Sequence, residues 1–497
     1  MPGMAVHAAD RPEALALVTA DGSSSRTYAE LADRSARLAT ALVERGATEP
    51  GGAVAVMVPN GIEFFEAAAA CCRAEHRFLP VNWHLKADEL RWILTDSGAS
   101  VLIADPSLRE HVDAAVAGGL ACEVLYTGEP YEAAIAAAAP RDGDGWAAPA
   151  FVFYTSGTTG RPKGVVHGGL TPDHMTMAQQ GLTALWGFTA HDIHLLAGPA
   201  YHAGPGGYAL TTLFAGGAVV ILPTWDPREA LAAVERHRVS TTFLTPAHFV
   251  RLLELPAAER DRYDRSSWRL VIHAGAPCPV PVKERILDAL APAEVWELYG
   301  ASEGGATRVS PDDWRARPGT VGLPWPGVEV RILDEAGEPV APGVDGVIHI
   351  RPAGGATFHY HGDEAKTAAA WRDGAFTVGD VGHLDDDGWL YLTDRVSDMV
   401  LRDGVNVYPR EIEDVLFTHP AVVDCAVLGV PDDRHGEVLA AVVETRTPVD
   451  ADTLAAFVRE RLADFKVPQR WDLVDELPRD PNGKVVKRRL KERFAGS

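Results

Sequence analysis

The chain has 497 residues, 46% apolar and 23% charged, so it is long enough for two or more domains and too balanced in composition for a disordered, collagen-like or coiled-coil protein. Its 46 Lys and Arg residues against 69 Asp and Glu give a net charge of −23, which disfavours general nucleic-acid binding. The five cysteines are scattered without a CxxC pair, and no run approaches the ~18 apolar residues of a membrane span, so we expect a cytoplasmic protein with reduced thiols.

The first part of the chain alternates helix and strand signals. An amphipathic helix is predicted at 28–46, a buried strand with its turn at 54–60, and a second helix at 61–75. The same order continues with strands at 101–104, 218–222 and 270–273 and helices at 226–237 and 280–290. This alternation predicts α/β units around a parallel sheet.

The residue pattern of the sequence changes at about Gly319. Gly, Pro and Asp then punctuate β-rich segments at 328–337, 346–352 and 388–395, a pattern typical of hairpins. This region is therefore predicted to be a β subdomain that follows the parallel sheets.

A new unit is predicted after Arg395. It consists of a helix at 409–420, strands at 422–432 and 437–445, and a helix at 452–465. The sequence thus predicts an α/β protein with a large N-terminal domain, residues 1–395, which contains the parallel sheets and the β subdomain. A small α+β C-terminal domain, residues 396–497, completes the chain.

The strongest chemical signal is FVFYTSGTTGRPKGVVH at 151–167, where an apolar run enters a loop of glycine and hydroxyl residues. Glycines let backbone N–H groups approach phosphate oxygens, and Lys163 adds positive charge. The predicted triphosphate-binding residues are Thr155, Ser156, Gly157, Thr158, Thr159 and Lys163. This is not a Walker loop, because Gly164 follows Lys163 where that motif needs Ser or Thr. The alternative, a solvated glycine hairpin, is disfavoured by this composition.

Further motifs follow the loop along the chain. They are HAGAPC (273–278), ELYGASE (297–303), TVGLPWPGVEV (320–330), VGD (378–380), GWLYLTDR (388–395) and LPRDPNGKVVKR (477–488). In order and spacing they resemble the adenylate-forming superfamily of acyl-CoA and aryl-CoA synthetases, adenylation domains and luciferases. The resemblance covers essentially the whole chain and is closest to the CoA ligases.

The resemblance implies a two-step reaction and a mobile C-terminal domain. A carboxylic acid and ATP first give an acyl adenylate and pyrophosphate, and a thiol of CoA or of a carrier protein then displaces AMP. Lys484 aligns with the adenylation lysine, whose ammonium can bridge two anions. Glu303 aligns with the Mg²⁺ ligand, a role suited to a hard carboxylate oxygen. Taken alone, Glu303 would be more typical of a helix N-terminus.

The same resemblance implies the remaining site residues. Tyr299 is expected to stack on the base, and Asp380 and Arg395 to contact the ribose. The nucleotide-binding set is Gly275, Ala276, Pro277, Glu297, Leu298, Tyr299, Gly300, Ser302, Asp380 and Arg395. The acyl-binding set is Tyr201, His202, Gly207, Ala274, Gly300 and Ala301. For His202, a catalytic or orienting role and a structural role both stay open.

Other functions stay open at this point. A non-catalytic nucleotide-binding homologue is disfavoured by the presence of Lys484, Glu303, Asp380 and Arg395, and a P-loop kinase or ATPase by the missing Walker pair. A luciferase or a peptide-synthetase module would share the fold. The expected partners are a small carboxylic acid and a thiol, with no nucleic acid and no membrane span, and a homodimer is left open.

The chain departs from the CoA-ligase pattern near the predicted domain boundary. DRVSDMVLRDGVN places Ser397 at the hinge position and Asp403 where a glycine is common. An aspartate adds volume and negative charge where a thiol arm must enter. One hypothesis is therefore a slow CoA step, or a carrier-protein thiol or a partner enzyme as the acceptor, and the other is normal CoA entry. Gly and Ala residues at 202–209 and 304–306 predict a bulky acid, of which aromatic and polycyclic acids are examples, rather than acetate.

Overall fold

The computed structural model describes residues 4–47, 51–142, 150–155, 162–168, 171–402, 405–432, 436–480 and 483–494. Its helices are α1 (Met4–Asp10), α2 (Tyr28–Glu44), α3 (Ile62–Ala74), α4 (Ala87–Ser97), α5 (Arg109–Val116), α6 (Glu129–Ala137), α7 (Pro172–Trp186), α8 (Ala203–Phe214), α9 (Pro227–His237), α10 (Pro246–Glu254), α11 (Ala257–Arg260), α12 (Val280–Ala289), α13 (Pro311–Ala316), α14 (Glu364–Ala370), α15 (Pro409–Phe417), α16 (Ala451–Arg459) and α17 (Lys487–Phe494). Short 3-10 turns lie at Pro106–Leu108, Ala353–Gly355 and Asp464–Lys466.

The strands up to the middle of the chain are β1 (Leu15–Thr19), β2 (Ser25–Thr27), β3 (Ala53–Met57), β4 (Arg77–Pro80), β5 (Val101–Ala104), β6 (Glu123–Tyr126), β7 (Ala150–Thr155), β8 (Lys163–Gly168), β9 (Ile193–Leu196), β10 (Ala218–Ile221), β11 (Thr241–Leu244), β12 (Leu270–His273) and β13 (Glu294–Ala301). The later strands are β14 (Gly304–Val309), β15 (Thr320–Pro324), β16 (Glu329–Leu333), β17 (Gly346–Arg351), β18 (Thr357–Tyr360), β19 (Trp371–Arg372), β20 (Ala375–Phe376), β21 (Asp380–Leu384), β22 (Leu390–Arg395), β23 (Val400–Arg402), β24 (Val405–Val407), β25 (Val422–Asp432), β26 (Gly436–Thr445) and β27 (Arg470–Val474).

The chain forms two compact units. Unit 1 contains Met1–Leu244, Ala258–Ile272 and Ala356–Ala369, and unit 2 contains Thr245–Ala257, His273–Gly355 and Ala370–Ser497. The division of the chain into domains at residues 395 and 396 stays a prediction.

Unit 1 is built from parallel strands and the helices between them. Strand β3 pairs in parallel with β4 and β5, and β6 and β7 extend this sheet on either side. Strands β8 and β18 complete it with antiparallel pairings. A second group pairs β1, β10, β9 and β11 in parallel. All five residues of β3 are buried, as expected for a strand covered by helices on both faces.

A buried carboxylate ties several elements of unit 1 together. Glu66 of α3 is completely buried. It accepts hydrogen bonds from Arg26 Nε at 2.9 Å, from Arg34 Nε at 2.6 Å and from the Tyr131 hydroxyl at 3.0 Å. Arg34 also binds Glu132 at 2.7 Å. We call Arg26, Arg34, Glu66, Tyr131 and Glu132 the Glu66 cluster; it links β2, α2, α3 and α6.

Unit 2 contains antiparallel hairpins followed by a smaller α+β region. Strands β13, β14, β15, β22, β21, β17, β20 and β19 pair in that order, and β16 pairs with β17. In the C-terminal part, β24, β23, β26 and β25 form an antiparallel sheet that β27 joins in parallel. Residues of this sheet belong to two hydrophobic cores. Residues of α15 and α16 contribute to one core, and Leu490 of α17 contributes to the other.

The predicted α/β class is confirmed, including the parallel sheets, the hairpin-rich region and a C-terminal part with its own sheet. Helix α2 begins where expected because Thr27 forms a capping box with Glu30. Helix α16 ends at Arg459, earlier than the predicted end at residue 465. No helix within the described ranges is long and apolar enough to cross a membrane.

Candidate active site

The phosphate-loop motif joins two paired strands of unit 1. Strands β7 and β8 are antiparallel, and Thr155 lies opposite Lys163 in their register. The two strands therefore hold both ends of the loop together. Ser156, Gly157, Thr158 and Thr159 lie outside the described residues.

Lys163 has an acidic partner that is distant in sequence. Its ammonium donates a hydrogen bond to the Asp363 carboxylate, and both residues belong to unit 1. This bond, followed by the backbone N–H of Lys366, lowers the pKa of Asp363 below its usual value. The lysine that we predict to bind phosphate is thus already paired with an anion.

The aromatic–histidine pair lies at the start of α8. Tyr201 is buried, and its ring centroid is 4.5 Å from that of His202. The carbonyl oxygen of His202 accepts a hydrogen bond from the Gly206 N–H at 3.0 Å, in the first turn of the helix. The backbone of His202 is therefore the N-cap of the helix that carries Gly207.

The glycines of α8 have different surroundings. A Cβ atom on Gly204 would lie 2.5 Å from the Phe243 ring, and one on Gly206 would overlap the carbonyl oxygen of Ala200. Packing alone explains these two glycines. A Cβ atom on Gly207 would meet nothing within 4 Å, so among these three residues Gly207 is the one that borders open space.

The HAGAPC segment of unit 2 forms the turn between β12 and α12. Ala274 is buried, whereas Gly275 and Pro277 are exposed and Ala276 is half-buried. Gly275 has φ of +90°, a conformation that favours glycine. The segment presents small residues at a turn surface, as the expected wall of a nucleotide slot would.

The ELYGASE segment continues β13 into a hairpin with β14. Glu297, Leu298 and Tyr299 lie on β13 with Gly300 and Ala301, and Ser302 and Glu303 form the turn. Glu303 is therefore not at a helix N-terminus, which removes the alternative that its isolated sequence suggested. A Cβ atom on Gly300 would lie 2.8 Å from the Gly305 Cα, so only glycine fits this bulged hairpin. A Cβ atom on Gly305 would overlap the Trp325 ring, so packing explains this glycine too.

Three predicted nucleotide contacts form one hydrogen-bonded cluster in unit 2. The Tyr299 hydroxyl donates to Asp380 Oδ2 at 2.8 Å, and Arg395 Nε donates to Asp380 Oδ1 at 2.7 Å. Burial, followed by the charge of Asp380, raises the pKa of Tyr299 well above its usual value, so the phenol stays protonated. Burial by itself would lower the pKa of the Arg395 guanidinium. The negative charge of Asp380 outweighs this effect, so the pKa is raised.

Lys484 lies within electrostatic range of this cluster. Its side chain is exposed, yet nearby protein desolvates the ammonium in part. This desolvation, followed by the positive charge of Arg395, lowers the pKa of Lys484, while Asp480, Asp398 and Asp380 oppose the effect. Lys484, Asp380 and Arg395, which are far apart in sequence, are thus brought into one region of unit 2.

A buried charged group lies beside the two motifs that are predicted to bind the nucleotide. Lys283 of α12 donates to His273 Nε2 and to Glu297 Oε2, the second at 3.3 Å, and all three residues are buried. Burial and then Lys283 lower the pKa of His273 well below its usual value, and burial raises the pKa of Glu297 despite Lys283. We call these three residues the Lys283 cluster. His273 begins the HAGAPC segment and Glu297 begins the ELYGASE segment, so the cluster fixes both.

The family models for the AMP-binding enzyme and for the AMP-binding enzyme C-terminal domain match residues 4–358 and 411–484. The chain belongs to the AMP-binding enzyme family. It is 37% identical to a feruloyl-CoA synthase from an Amycolatopsis species over 95% of both chains. It is 33% identical to the fatty acid–[acyl-carrier-protein] ligase ScoC of Streptomyces coeruleorubidus, over 95% of this chain and 92% of that one.

A solved structure supports the same assignment for this AMP-binding enzyme. The o-succinylbenzoate CoA synthetase MenE of Bacillus subtilis, in complex with its acyl-adenylate intermediate, matches with a TM-score of 0.83 and 28% identity. The match covers 99% of this chain and 98% of that one. The predicted adenylate-forming family and acid–thiol ligase class are confirmed, and a P-loop kinase or ATPase is excluded.

Sequence reasoning missed several residues of this AMP-binding enzyme's candidate site. Asp363, the partner of Lys163, lies 200 residues further along the chain, and no local pattern marks it. Lys283 did carry a signal, because it lies among Val282, Ile286 and Leu287 on the apolar face of α12, where an unpaired lysine is rare. A lysine at such a position predicts a buried acidic partner.

Proposed function

We propose that this enzyme uses ATP to activate an aromatic carboxylic acid as its acyl adenylate and then transfers the acyl group to the thiol of CoA. The arrangement of Tyr299, Asp380, Arg395 and Lys484 in one region of unit 2 carries the proposal. The carboxylate oxygen of the acid attacks the α-phosphorus and displaces pyrophosphate. The sulfur of CoA then attacks the acyl carbonyl carbon and displaces AMP.

The Asp380 carboxylate suits ribose recognition. Each of its oxygens accepts one protein hydrogen bond, from Tyr299 or from Arg395, and each keeps a lone pair. These protein bonds fix the orientation of the carboxylate, so the free lone pairs can accept bonds from the ribose hydroxyls. Leu298, Tyr299 and Gly300 on β13, together with the turn at 275–277, would then enclose the base.

Lys484 would act on the attack itself. The carboxylate and the α-phosphate repel each other as they approach, and a positioned ammonium between them lowers this cost. Thr155, Ser156, Gly157, Thr158, Thr159 and Lys163 would hold the β- and γ-phosphates. Lys163 must then exchange Asp363 for a phosphate oxygen.

Glu303 would hold the Mg²⁺ that accompanies ATP. The described residues contain no group of three or more His, Cys, Asp or Glu able to bind a metal. Mg²⁺ usually binds through one or two carboxylates together with substrate phosphates and waters, and Glu303, in the hairpin turn, would supply such a carboxylate oxygen. When bound, the cation neutralises charge on the phosphates.

The choice of an aromatic acid rests on the relatives and on α8. Ferulate and o-succinylbenzoate, the acids named for two of the similar proteins, both contain an aromatic ring. Tyr201, His202, Ala274 and Ala301 are the proposed acyl contacts, and Gly207 borders open space. His202 is proposed to orient the reacting carboxylate.

The acceptor thiol is the second part of the proposal. Most support comes from the CoA-ligase relatives, whereas ScoC, by its name, acylates a carrier protein. Asp403 lies outside the described residues, so its effect on the thiol path stays a prediction. A cytoplasmic location, which the five free cysteines favour, and a homodimer also stay predictions.

The proposal is tested by acid-dependent exchange of pyrophosphate into ATP. Ferulate, o-succinylbenzoate, a long-chain fatty acid and acetate are compared, and an aromatic acid is expected to give the fastest exchange. Exchange with none of the acids would favour the non-catalytic homologue, and acetate as the best substrate would contradict the aromatic assignment. Formation of the acyl-CoA product, followed separately with CoA and with a carrier protein, identifies the acceptor.

Single substitutions test the assigned roles. Lys484→Ala should slow exchange about 10²-fold or more, but should spare thioester formation from a preformed acyl adenylate. Lys491→Ala, an exposed lysine of α17, is the matched control and should change neither step. Glu303→Gln should raise the Mg²⁺ concentration needed for half-maximal exchange, and an unchanged Mg²⁺ requirement would contradict the metal role.

A further inference from the structure

Lys484 lies on a turn whose backbone is closely bonded. The Asp480 N–H donates to the Lys484 carbonyl oxygen at 2.8 Å, and the Lys484 N–H donates to Asp480 Oδ1 at 2.8 Å. Arg479 and Val485 pair across the turn as an antiparallel bridge. The position of the Lys484 backbone therefore depends on what holds residues 479 and 480.

Arg479 connects this turn to the C-terminal sheet. One guanidinium nitrogen donates to the Asp424 carboxylate of β25, and another donates to the carbonyl oxygen of Gly483, next to Lys484. Asp424 is itself fixed, because it is 4% exposed and its Oδ1 accepts the Cys425 N–H at 2.8 Å. A planar guanidinium can make both contacts at once, which a lysine ammonium does with less geometric control.

Electrostatics make this contact costly to lose. Burial, followed by the positive charge of Arg251, lowers the pKa of Arg479 to about 10, so the side chain remains charged at neutral pH. Asp424 is almost fully buried and is bonded directly to this cation. Loss of either partner leaves the other charge in a poorly hydrated place.

The turn also has little room to move. Gly483 has φ of +80°, and a Cβ atom on it would lie 2.5 Å from the Ala247 Cβ. The backbone therefore approaches α10 closely at the residue before Lys484. A displaced Gly483 carbonyl would carry the lysine with it.

We infer that Arg479, held by Asp424, is a positioning residue that orients Lys484 for the adenylation step. The inference rests on the proposed function in assigning adenylation to Lys484. Arg479 contacts the backbone beside the lysine and acts through it, and a misplacement of about 1 Å can cost on the order of 10²-fold in rate.

The test compares the two half-reactions of Arg479→Met in the full-length enzyme. Pyrophosphate exchange, with whichever panel acid gives the fastest exchange in the unchanged enzyme, should fall about 10- to 100-fold in kcat. The KM for ATP should change less than the kcat. Thioester formation from the chemically prepared acyl adenylate of that acid should be nearly unchanged, which also shows that the variant is folded.

Matched variants separate positioning from a general loss of charge. Arg489→Met removes an exposed arginine of α17 from the same region and should leave both half-reactions unchanged. Asp424→Asn should slow exchange in the same direction as Arg479→Met. The double variant should be no worse than the more severe single one, because both changes remove one connection.

Chemical rescue provides a further measurement. Millimolar guanidinium should restore part of the exchange activity of Arg479→Ala but none of that of Lys484→Ala. An equal loss in both half-reactions of Arg479→Met, or unchanged exchange, would overturn the inference. If Lys484→Ala loses exchange while Arg479→Met does not, only the inference fails; if Lys484→Ala keeps exchange, the proposed role of Lys484 fails first.

Discussion

The Glu66 cluster of unit 1 and the Lys283 cluster of unit 2 both bury a carboxylate, but they differ in redundancy. Glu66 is bonded by two arginines and a tyrosine, and the arginine side chains remain 24% and 18% exposed. Glu297 is hydrogen-bonded to one buried cation, Lys283, which also donates to His273, and among the described residues Arg410 adds only a weaker electrostatic effect. Loss of one partner leaves Glu66 with others, whereas loss of Lys283 leaves two buried groups without their cation.

The locations of the two clusters add to this contrast. The Glu66 cluster joins helices and a strand of the scaffold, and none of its members belongs to a predicted site motif. The Lys283 cluster connects the first residues of the HAGAPC and ELYGASE segments through α12. The buried charge with fewer partners therefore lies where it connects the two segments that are proposed to bind the nucleotide.

The largest expected effect is on Lys283→Met. Removal of the ammonium leaves the Glu297 carboxylate buried without its hydrogen-bonded cation, which should cost about 3–5 kcal/mol in the free energy of unfolding. Chemical denaturation followed by tryptophan fluorescence measures this loss, and the KM for ATP should rise at the same time. The double variant Lys283→Met/Glu297→Gln should recover much of the stability, and a loss below about 1 kcal/mol in the single variant would contradict the account.

Glu66→Gln should have a smaller effect. It weakens charge-assisted hydrogen bonds, worth about 1.5–3 kcal/mol, while both arginines can still reach water. The same denaturation experiment should show a loss in this range, with the KM for ATP unchanged. An increase in KM as large as that of Lys283→Met would break the distinction between scaffold and site clusters.

The pH dependence of stability should also distinguish the Lys283 cluster from the Glu66 cluster. The pKa of His273 lies well below its usual 6.5 in the folded protein, so the unfolded state binds more protons once the pH falls below about 6.5. Stability should then fall toward lower pH, and His273→Gln should flatten this slope by up to about 1.4 kcal/mol per pH unit. Denaturation at several pH values between 7 and 5 measures the slope. Glu66→Gln is the control, and an unaltered slope in His273→Gln would refute the assignment.

The smallest effect is expected for Arg26→Met. Arg34 and Tyr131 still bind Glu66 in this variant, so the loss should be within about 1 kcal/mol. The denaturation midpoint should shift only slightly. A loss as large as that of Glu66→Gln would show that the cluster lacks the redundancy that its geometry indicates.

The sequence predicted those parts of the fold that depend on local periodicity. The strands at 101–104 and 270–273 match the structure at both ends, because short apolar runs between turns leave little choice of pairing. The apolar run that leads into the phosphate loop is likewise a strand, β7. The end of α16 was predicted too late, since the apolar pattern continues beyond Arg459 although the helix does not.

The candidate site was predictable only where a motif is contiguous. ELYGASE was recognised as a motif, but its isolated glutamate also suggested a helix N-terminus, and only the structure shows that Ser302 and Glu303 form a hairpin turn. The partners Asp363 and Asp424 come from distant segments, and their pairing with Lys163 and Arg479 depends on tertiary structure. Periodicity carries no information about such contacts.

The pairing of Lys163 with Asp363 has a consequence for how this enzyme responds to salt. If Lys163 binds a phosphate group of ATP as proposed, the arrival of a triphosphate would exchange one anion for another, because the lysine is already paired with Asp363. Part of the Coulomb attraction is already used by the carboxylate, so the binding of ATP should depend less on ionic strength than the charge of Lys163 alone would imply. On the same proposal, Asp363 would pair with the lysine again when the nucleotide leaves.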